Sequence, residues 1–256
     1  MFNKQEILNS LDTTILGKEI FIFDSITSTN EYGKSLSSEQ NSEGYLIIAN
    51  HQTAGYGRFK RNWVSEADKN LLFSFILKPK ILHNEKIHLL TFFIANRIAK
   101  VVEQNFNLKV EIKWPNDLLI DRKKFCGILL ESIISKKNIS IVSGIGINVN
   151  QTSFSELDKN ITSLKTELNV EINRVELLCK MLNRLDSDYL PFLENPEMEI
   201  ELFKERDILI GKEITALVDK NTYTGRVVDI DKNGYFIFSA GASEMKLNSG
   251  EVTLRI

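Results

Sequence analysis

The chain reads as an α+β protein: a β-sheet covered by helices, followed by a small all-β unit. Three observations predict this. Helical periodicity runs through residues 85–105 and 173–189. Between and before these stretches lie strand-length apolar runs rich in isoleucine, leucine and valine. After Gly211 the texture changes to short strands separated by turn residues, a barrel-like pattern.

Residues 3–16 are expected to form one short helix that Gly17 stops, and Glu19 to Asp24 a strand. Ser28 with Glu31 three residues on matches a capping box, so a helix begins there. Strands are expected at 45–49, 71–77, 109–114, 117–121, 125–134 and 139–149. Leu90, Ile94, Ile98 and Val101, with Leu89 and Phe93 beside them, give the first long helix its apolar stripe. Asn173 caps the second, Glu176 sits at its third position, and Val175, Leu178, Leu182, Leu185 and Tyr189 line one face; Pro191 is expected to end it. Both helices suit a sheet cover. In the tail, Ile214 to Val218, Tyr223 to Ile230, Tyr235 to Phe238 and Val252 to Ile256 read as strands, with Asp231-Lys-Asn-Gly234 as a hairpin turn. So small a unit should dock on the larger one. The expected division is 1–208 and 209–256.

The 256 residues are 43% hydrophobic, enough for a substantial core, and the formal net charge of -2 argues against a protein-wide nucleic-acid footprint. Cys126 and Cys179 are far apart without CxxC spacing, which disfavours a disulfide framework or a cysteine zinc site. His83 and His88 are five apart, the wrong spacing for a pair on one helical face; with His51 they complete the histidines. The first residues carry no apolar signal core, and no apolar run approaches a membrane span, so a cytoplasmic protein without membrane partners is expected.

Five segments carry chemistry. Ala49 to Trp63 leaves a strand into a loop with Gly55 and Gly57, followed by Arg58, Lys60 and Arg61. Glycines admit close backbone approach, and loop amides with guanidinium groups suit an oligophosphate. The same residues also suit a solvated turn. In Lys113-Trp-Pro-Asn-Asp117, Pro115 forces Trp114 into an extended conformation and presents Asn116 and Asp117 at a chain reversal. Asp117 could hold Mg²⁺ near phosphate or be part of a plain turn. Lys123 and Lys124 enter an apolar strand interrupted by Gly127. Lys124, beside the strand, could neutralise a carboxylate and the phosphoryl group it attacks, whereas Lys123 fits a solvated hairpin tip. Gly144 and Gly146 project to one face of a strand, bare backbone suited either to a flat ligand or to tight helix packing, and Asn148 continues that face. Ser28-Thr29-Asn30 puts polar groups at a helix start, where a cap explains Ser28 without any ligand.

Taken together, Ser28-Thr-Asn30, Gln52 with Gly55-Tyr-Gly-Arg58 and Arg61-Asn-Trp63, Lys113-Trp-Pro-Asn-Asp117, Lys124-Phe-Cys-Gly127 with Glu131, and Gly144-Ile-Gly-Ile-Asn148 resemble the ordered motif set of biotin protein ligases (biotin–[acetyl-CoA-carboxylase] ligases). The resemblance covers about residues 18–256. It implies a mixed sheet with helices on one face, akin to class II aminoacyl-tRNA synthetases, and an SH3-like C-terminal barrel. It implies ATP, Mg²⁺ and biotin as reactants: the biotin carboxylate attacks the α-phosphorus, then a lysine of a biotin carboxyl carrier protein, an acetyl-CoA carboxylase subunit or part of another biotin-dependent carboxylase, attacks biotinyl-5′-AMP. Lys124 and Arg58 are implied as catalytic. Ser28, Thr29, Asn30, Gln52, Gly55, Tyr56, Gly57, Arg58, Lys124, Gly127, Gly144 and Gly146 are implied around biotin. Arg58, Arg61, Trp63, Asn116, Lys124 and Asn148 are implied at the nucleotide, and Asp117 at the metal. A homodimer is within the family's repertoire. Too few residues precede Glu19 for a winged DNA-binding domain, so a monofunctional ligase is expected.

The chain departs from the pattern at Tyr56, where an arginine is common, and at Lys60, where a glycine is frequent. Lipoate protein ligases share the fold but carry an arginine- and glycine-rich segment ending in His-Asp that is missing here. A non-catalytic biotin-binding regulator is the remaining alternative.

Overall fold

The computed structural model describes residues 1–80, 82–134, 139–154, 160–218, 221–241, 243–248 and 252–255. The larger sheet has the order β1-β2-β3-β7-β6-β5-β4. Its strands are β1 (Ile20–Phe23), β2 (Leu46–Ala49), β3 (Leu71–Leu77), β4 (Glu111–Lys113), β5 (Asp117–Ile120), β6 (Lys123–Ile134) and β7 (Ile139–Ile147). β1 and β2 run parallel and the other neighbours antiparallel, so the sheet is mixed.

The helices are α1 (Lys4–Ser10), α2 (Thr29–Leu36), α3 (Leu89–Phe106), α4 (Leu164–Leu168), α5 (Arg174–Glu194) and α6 (Met198–Lys204). Strand alternation sorts the core. Leu46, Ile48, Phe73, Phe75, Ile145 and Ile147 join the apolar faces of α3, α5 and α6 in one large cluster. Ile47, Ile76 and Val142 point the other way, toward Tyr32 and Leu36 of α2. The long helices thus share one face, as expected, and α2 alone of these four covers the opposite face. It gets close because Gly33 has no side chain: a Cβ there would lie 2.9 Å from Val142 Cγ1.

Two helix boundaries depart from expectation. α1 stops at Ser10 instead of reaching 16. The buried Asp186 carboxylate on α5 accepts the backbone N–H groups of Thr14, Ile15 and Leu16 at 2.7–2.8 Å, drawing that segment out of helical pairing. α5 runs through Pro191 to Glu194. Proline removes one helical hydrogen bond, but the extra turn buries Phe192, whose ring stacks on Phe93 at 4.6 Å. The short α4 and α6 and the strand β11 had no clear periodicity in the sequence.

The tail forms an antiparallel sheet in the order β11-β10-β9-β8-β12, from β8 (Glu213–Val218), β9 (Asn221–Ile230), β10 (Phe236–Ala240), β11 (Ser243–Leu247) and β12 (Val252–Arg255). Ile256 of the expected last strand lies outside the described residues. Gly234 takes φ +83° in the expected hairpin turn, and its N–H donates to Asp231 O at 2.8 Å. That turn docks on the larger unit. Trp114 stacks on Phe236 at 4.3 Å and donates from Nε1 to Gly234 O at 3.4 Å. Tyr235 stacks on His88 at 5.1 Å. Burial between the two units pulls the His88 imidazole below its ordinary value. Asp207, just before β8, accepts the N–H groups of Leu209 and Ile210 at 2.8 and 2.9 Å and of Trp114 at 3.2 Å.

Candidate active site

The site opens on the α2 face of the sheet. Register explains its floor. Gly127 on β6 pairs with Gly146 on β7, and Gly144 lies between Leu129 on β6 and Ser74 on β3. Three glycines on adjacent strands leave bare backbone. Protein groups already lie close against it. A Cβ at Gly144 would fall 2.0 Å from Asn30 Oδ1, and one at Gly146 would fall 2.6 Å from Trp63 Cε2. At Gly127 it would meet Trp63 Cζ3 at 3.0 Å and Lys124 Nζ at 3.2 Å. The flat group lying on this floor is therefore the Trp63 indole, brought there by the loop.

The start of α2 makes one wall. Ser28 caps the helix, as its capping box predicts. Thr29 donates its N–H to Gln52 Oε1 at 2.7 Å. Ser74, buried on β3, has one hydroxyl proton and stands 2.7 Å from Thr29 Oγ1 and 2.6 Å from Asn30 Oδ1. Asn30 donates from Nδ2 to Glu131 Oε2 at 2.9 Å. The polar groups of this wall are thus locked by one another.

The 50–63 loop makes the lid. Its arms are tied by Trp63 N–H to Gly55 O at 2.9 Å and Gly57 N–H to Arg61 O at 2.8 Å. Between them, Phe59 and Lys60 take φ +56° and +55°, the left-handed region that favours glycine. The frequent family glycine at position 60 thus meets a conformation that Lys60 adopts here at some cost. Gly55 lies behind the lid, where a Cβ would meet Gln52 Nε2 at 2.9 Å.

Charge gathers opposite α2. Among the described residues lining the pocket, Arg58, Arg61, Lys113 and Lys124 are cations and Asp117 is the one carboxylate. Lys124 Nζ is 2.6 Å from Asp117 Oδ1 and 5.2 Å from the Trp63 ring centre. Burial pulls the Lys113 ammonium below its ordinary value, opposed by Asp117 and reinforced by Lys124 and Arg61. Burial also lowers Arg58, again against Asp117. A pocket with this imbalance is suited to a ligand bearing several negative charges. Asn116 is fixed by Nδ2 to Ile128 O at 2.8 Å and accepts from Arg58 Nη1 at 3.4 Å. Burial pushes the Cys126 thiol up, in keeping with an inert core residue.

The fold brings together Ser28, Thr29, Asn30, Gln52, Tyr56, Gly57, Arg58, Arg61, Trp63, Asn116, Asp117, Lys124, Gly127, Gly144 and Gly146 in one lining. Gly55 and Asn148 stand outside it. Asn148 is buried, its Nδ2 donating to Thr162 O at 3.1 Å while Oδ1 has no hydrogen-bond partner. No group of three or more metal-ligating side chains occurs among the described residues. No described helix is long and apolar enough to cross a membrane. The sequence reading named Lys113 and Glu131 within its motifs but gave them no role, and it did not single out Ser74. Lys113 was visible as a cation in the Trp-Pro motif; Ser74 had no signal beyond being a hydroxyl in an otherwise apolar strand.

A model of the Biotin/lipoate A/B protein ligase family matches residues 22–148, and one of the Biotin protein ligase C terminal domain matches residues 209–255. The chain is 31% identical over 257 residues to the bifunctional ligase/repressor BirA of Bacillus subtilis, covering 98% of this chain and 79% of the relative. It is 26% identical over 216 residues to the biotin–[acetyl-CoA-carboxylase] ligase of Mycobacterium tuberculosis, covering 82% of this chain and 79% of that one. The biotin protein ligase of Aquifex aeolicus, solved in complex with biotin and ATP, superimposes with a TM-score of 0.80 at 29% identity over 93% of this chain and 99% of that chain.

Proposed function

The chain belongs to the biotin protein ligase family, and from that premise we propose that its pocket activates biotin with ATP and passes it to a lysine of a carrier protein. The observation that carries this reading is the one-sided cluster of cations beside a three-glycine floor on which the Trp63 indole lies. The cations offset two anions that must meet, and the indole on the floor offers a flat apolar surface against which a ring can pack.

In the first step a biotin carboxylate oxygen bonds to the α-phosphorus of ATP, and the bond from that phosphorus to pyrophosphate breaks. Both partners are negative, so fixed positive groups lower the barrier. Lys124 stands at the mouth of β6 for that role, with Arg58 and Arg61 holding phosphate from the lid. Asn116 serves the nucleotide side. Thr29, Asn30 and Gln52 supply directional hydrogen bonds for the ureido ring, and Ser28 holds the helix start that carries them. Trp63 closes the site over the product. In the second step the carrier's lysine amine attacks the mixed anhydride, an amide bond forms and AMP leaves. The acceptor this reading requires is a biotin carboxyl carrier domain.

Magnesium enters as the companion of ATP. Asp117 is the lining carboxylate that would meet it, and one carboxylate suits an ion that arrives already held by phosphate oxygens. Its ion pair with Lys124 would then be shared with the metal. Asn148, buried with Oδ1 unpaired, is assigned to the nucleotide side. The division at residues 208 and 209 separates this chemistry from the small C-terminal unit.

The test incubates the protein with biotin, MgATP and a carboxyl carrier domain, then weighs the carrier. One added biotinyl group is expected. A parallel incubation with lipoate should leave the carrier's mass unchanged; a lipoyl adduct in place of the biotinyl one would overturn the assignment.

A further inference from the structure

Tyr56 stands in the lid, yet its hydroxyl points into a cluster of charged groups on α2 and β6. It lies 2.5 Å from Glu31 Oε1, 2.9 Å from Glu131 Oε2 and 3.1 Å from Lys34 Nζ. Lys34 also reaches Glu31 at 2.8 Å and Glu131 at 3.0 Å. Lys60 completes the cluster from the lid itself: its ammonium sits 3.6 Å from the Tyr56 ring centre and 3.5 Å from Glu31. Lys60 holds a left-handed φ of +55° to do so. These contacts join the lid to two rigid elements, and protein atoms make all of them.

The protonation states are consistent with this geometry. Hydrogen bonds from Lys34 and then Tyr56 hold Glu31 down to about 2, so it is an anion across the working range. Burial, then the bond to Glu31, pushes the Tyr56 phenol up, so its proton stays in place to be donated. The phenol has one proton, so at any moment it makes one charge-assisted hydrogen bond, to Glu31 or to Glu131, stronger than a neutral one, while its oxygen accepts from Lys34.

The cluster also reaches the pocket. Glu131 Oε2 stands 2.9 Å from the Tyr56 hydroxyl, as an alternative acceptor of its proton, and accepts from Asn30 Nδ2 at 2.9 Å. Asn30 Oδ1 in turn lies over Gly144 on the floor. One carboxylate oxygen therefore couples the lid to a group that faces the ligand.

We propose that Tyr56 is a positioning residue: its hydroxyl clamps the 50–63 loop onto Glu31 and Glu131, and Glu131 carries that constraint to Asn30 at the floor. The part of this that concerns biotin rests on the functional reading above; the clamp itself does not. The consequence follows from population arithmetic. A ligand that needs the folded lid binds more weakly in proportion to the fraction of molecules whose lid is folded. Once bound, it holds the lid down by its own contacts, so turnover changes little.

Tyr56→Phe removes the hydroxyl and keeps the ring beneath Lys60. Trypsin provides the direct probe, because Arg58, Lys60 and Arg61 are cleavage sites inside the loop. Without ligands, Tyr56→Phe should be cut there about tenfold faster than wild type, with a little-changed Tm. Its KM for biotin should rise about tenfold while kcat stays within about twofold. Glu31→Ala, an exposed change, should act in the same direction, and the double variant should fall short of the sum of the two single ones, since both remove the Tyr56–Glu31 contact while each also loses one of its own, Lys60 for Glu31 and Glu131 for Tyr56. Wild-type cleavage rates in Tyr56→Phe would overturn the clamp. Faster cleavage with an unchanged KM would overturn the dependence of ligand binding on the clamped lid. Additive effects in the double variant would also overturn the clamp. If the wild-type protein ligated no biotin at all, the functional reading would fall, and the cleavage rates would still decide the clamp.

Discussion

Replacing Asp207 by asparagine should change how the fold's stability depends on pH. Asp207 holds the junction between the two units: its Oδ1 accepts from Leu209 and Ile210, and its Oδ2 accepts from Trp114. Burial pushes its carboxyl up to about 6, and the three N–H donors only partly offset this. In an unfolded chain the same group titrates near 3.9. Between these values the folded protein binds more protons than the unfolded one, so the contribution of Asp207 to stability is complete below about pH 4 and falls as pH rises to about 6. At about 1.4 kcal/mol per pH unit, a displacement of about two units costs about 3 kcal/mol by pH 7. Asparagine keeps an acceptor for Leu209 and Ile210, carries no charge, and turns an amide toward the Trp114 N–H at a cost of about 1 kcal/mol. Urea unfolding of both proteins from pH 4 to pH 8 tests this, because the difference between them cancels titrations elsewhere in the chain. Wild type should be the more stable at pH 4 and should lose about 3 kcal/mol relative to the variant by pH 7. A difference that stays flat across this range, or that moves in favour of wild type, would refute a protonation-dependent junction.

Three further outcomes follow from the site and its supports. Lys124→Ala removes the ammonium between Asp117 and Trp63, and biotin-dependent pyrophosphate release should fall by about 10²–10³, the usual cost of losing one preorganised charge-stabilising group; release at the wild-type rate would remove Lys124 from the first step. Gly146→Val puts methyl groups where the Trp63 indole lies, at a cost of about 1–3 kcal/mol unless the ring moves. Its fluorescence should shift to the red while Trp114 supplies a constant background, and unchanged emission would show that the ring does not rest there. Trp114→Ala deletes the stack on Phe236 and should cost about 3–5 kcal/mol. Calorimetry should show the C-terminal unit melting earlier, and a single transition at the wild-type temperature would argue against Trp114 as the anchor.

Much was legible before any coordinates. Strand 71–77 was placed to the residue, because seven apolar or small residues bounded by polar ones leave little choice. The capping box at Ser28 and the cap at Asn173 located two helix starts, because the first free N–H groups of a helix need a nearby acceptor. The chemistry-bearing segments were each visible as unusual local composition: paired glycines, clustered cations, a Trp-Pro turn. Single segments did not decide between ligand and plain structure, since each had a local explanation. Their joint order carried the family resemblance.

What the sequence determined by itself was therefore the set of local elements and the residue types available for chemistry, since period, capping and turn preferences act within a few residues. The tertiary structure alone decided which distant groups meet. Asp186, distant in sequence but on a helix packed against α1, ended that helix, and Phe192 carried α5 past a proline. Ser74 became the hinge of a polar wall, and Tyr56 became part of a charged cluster on α2 and β6. Hydrogen bonds and ion pairs depend on distances of a few ångströms between groups far apart in the chain, and packing sets those distances after the local elements have formed.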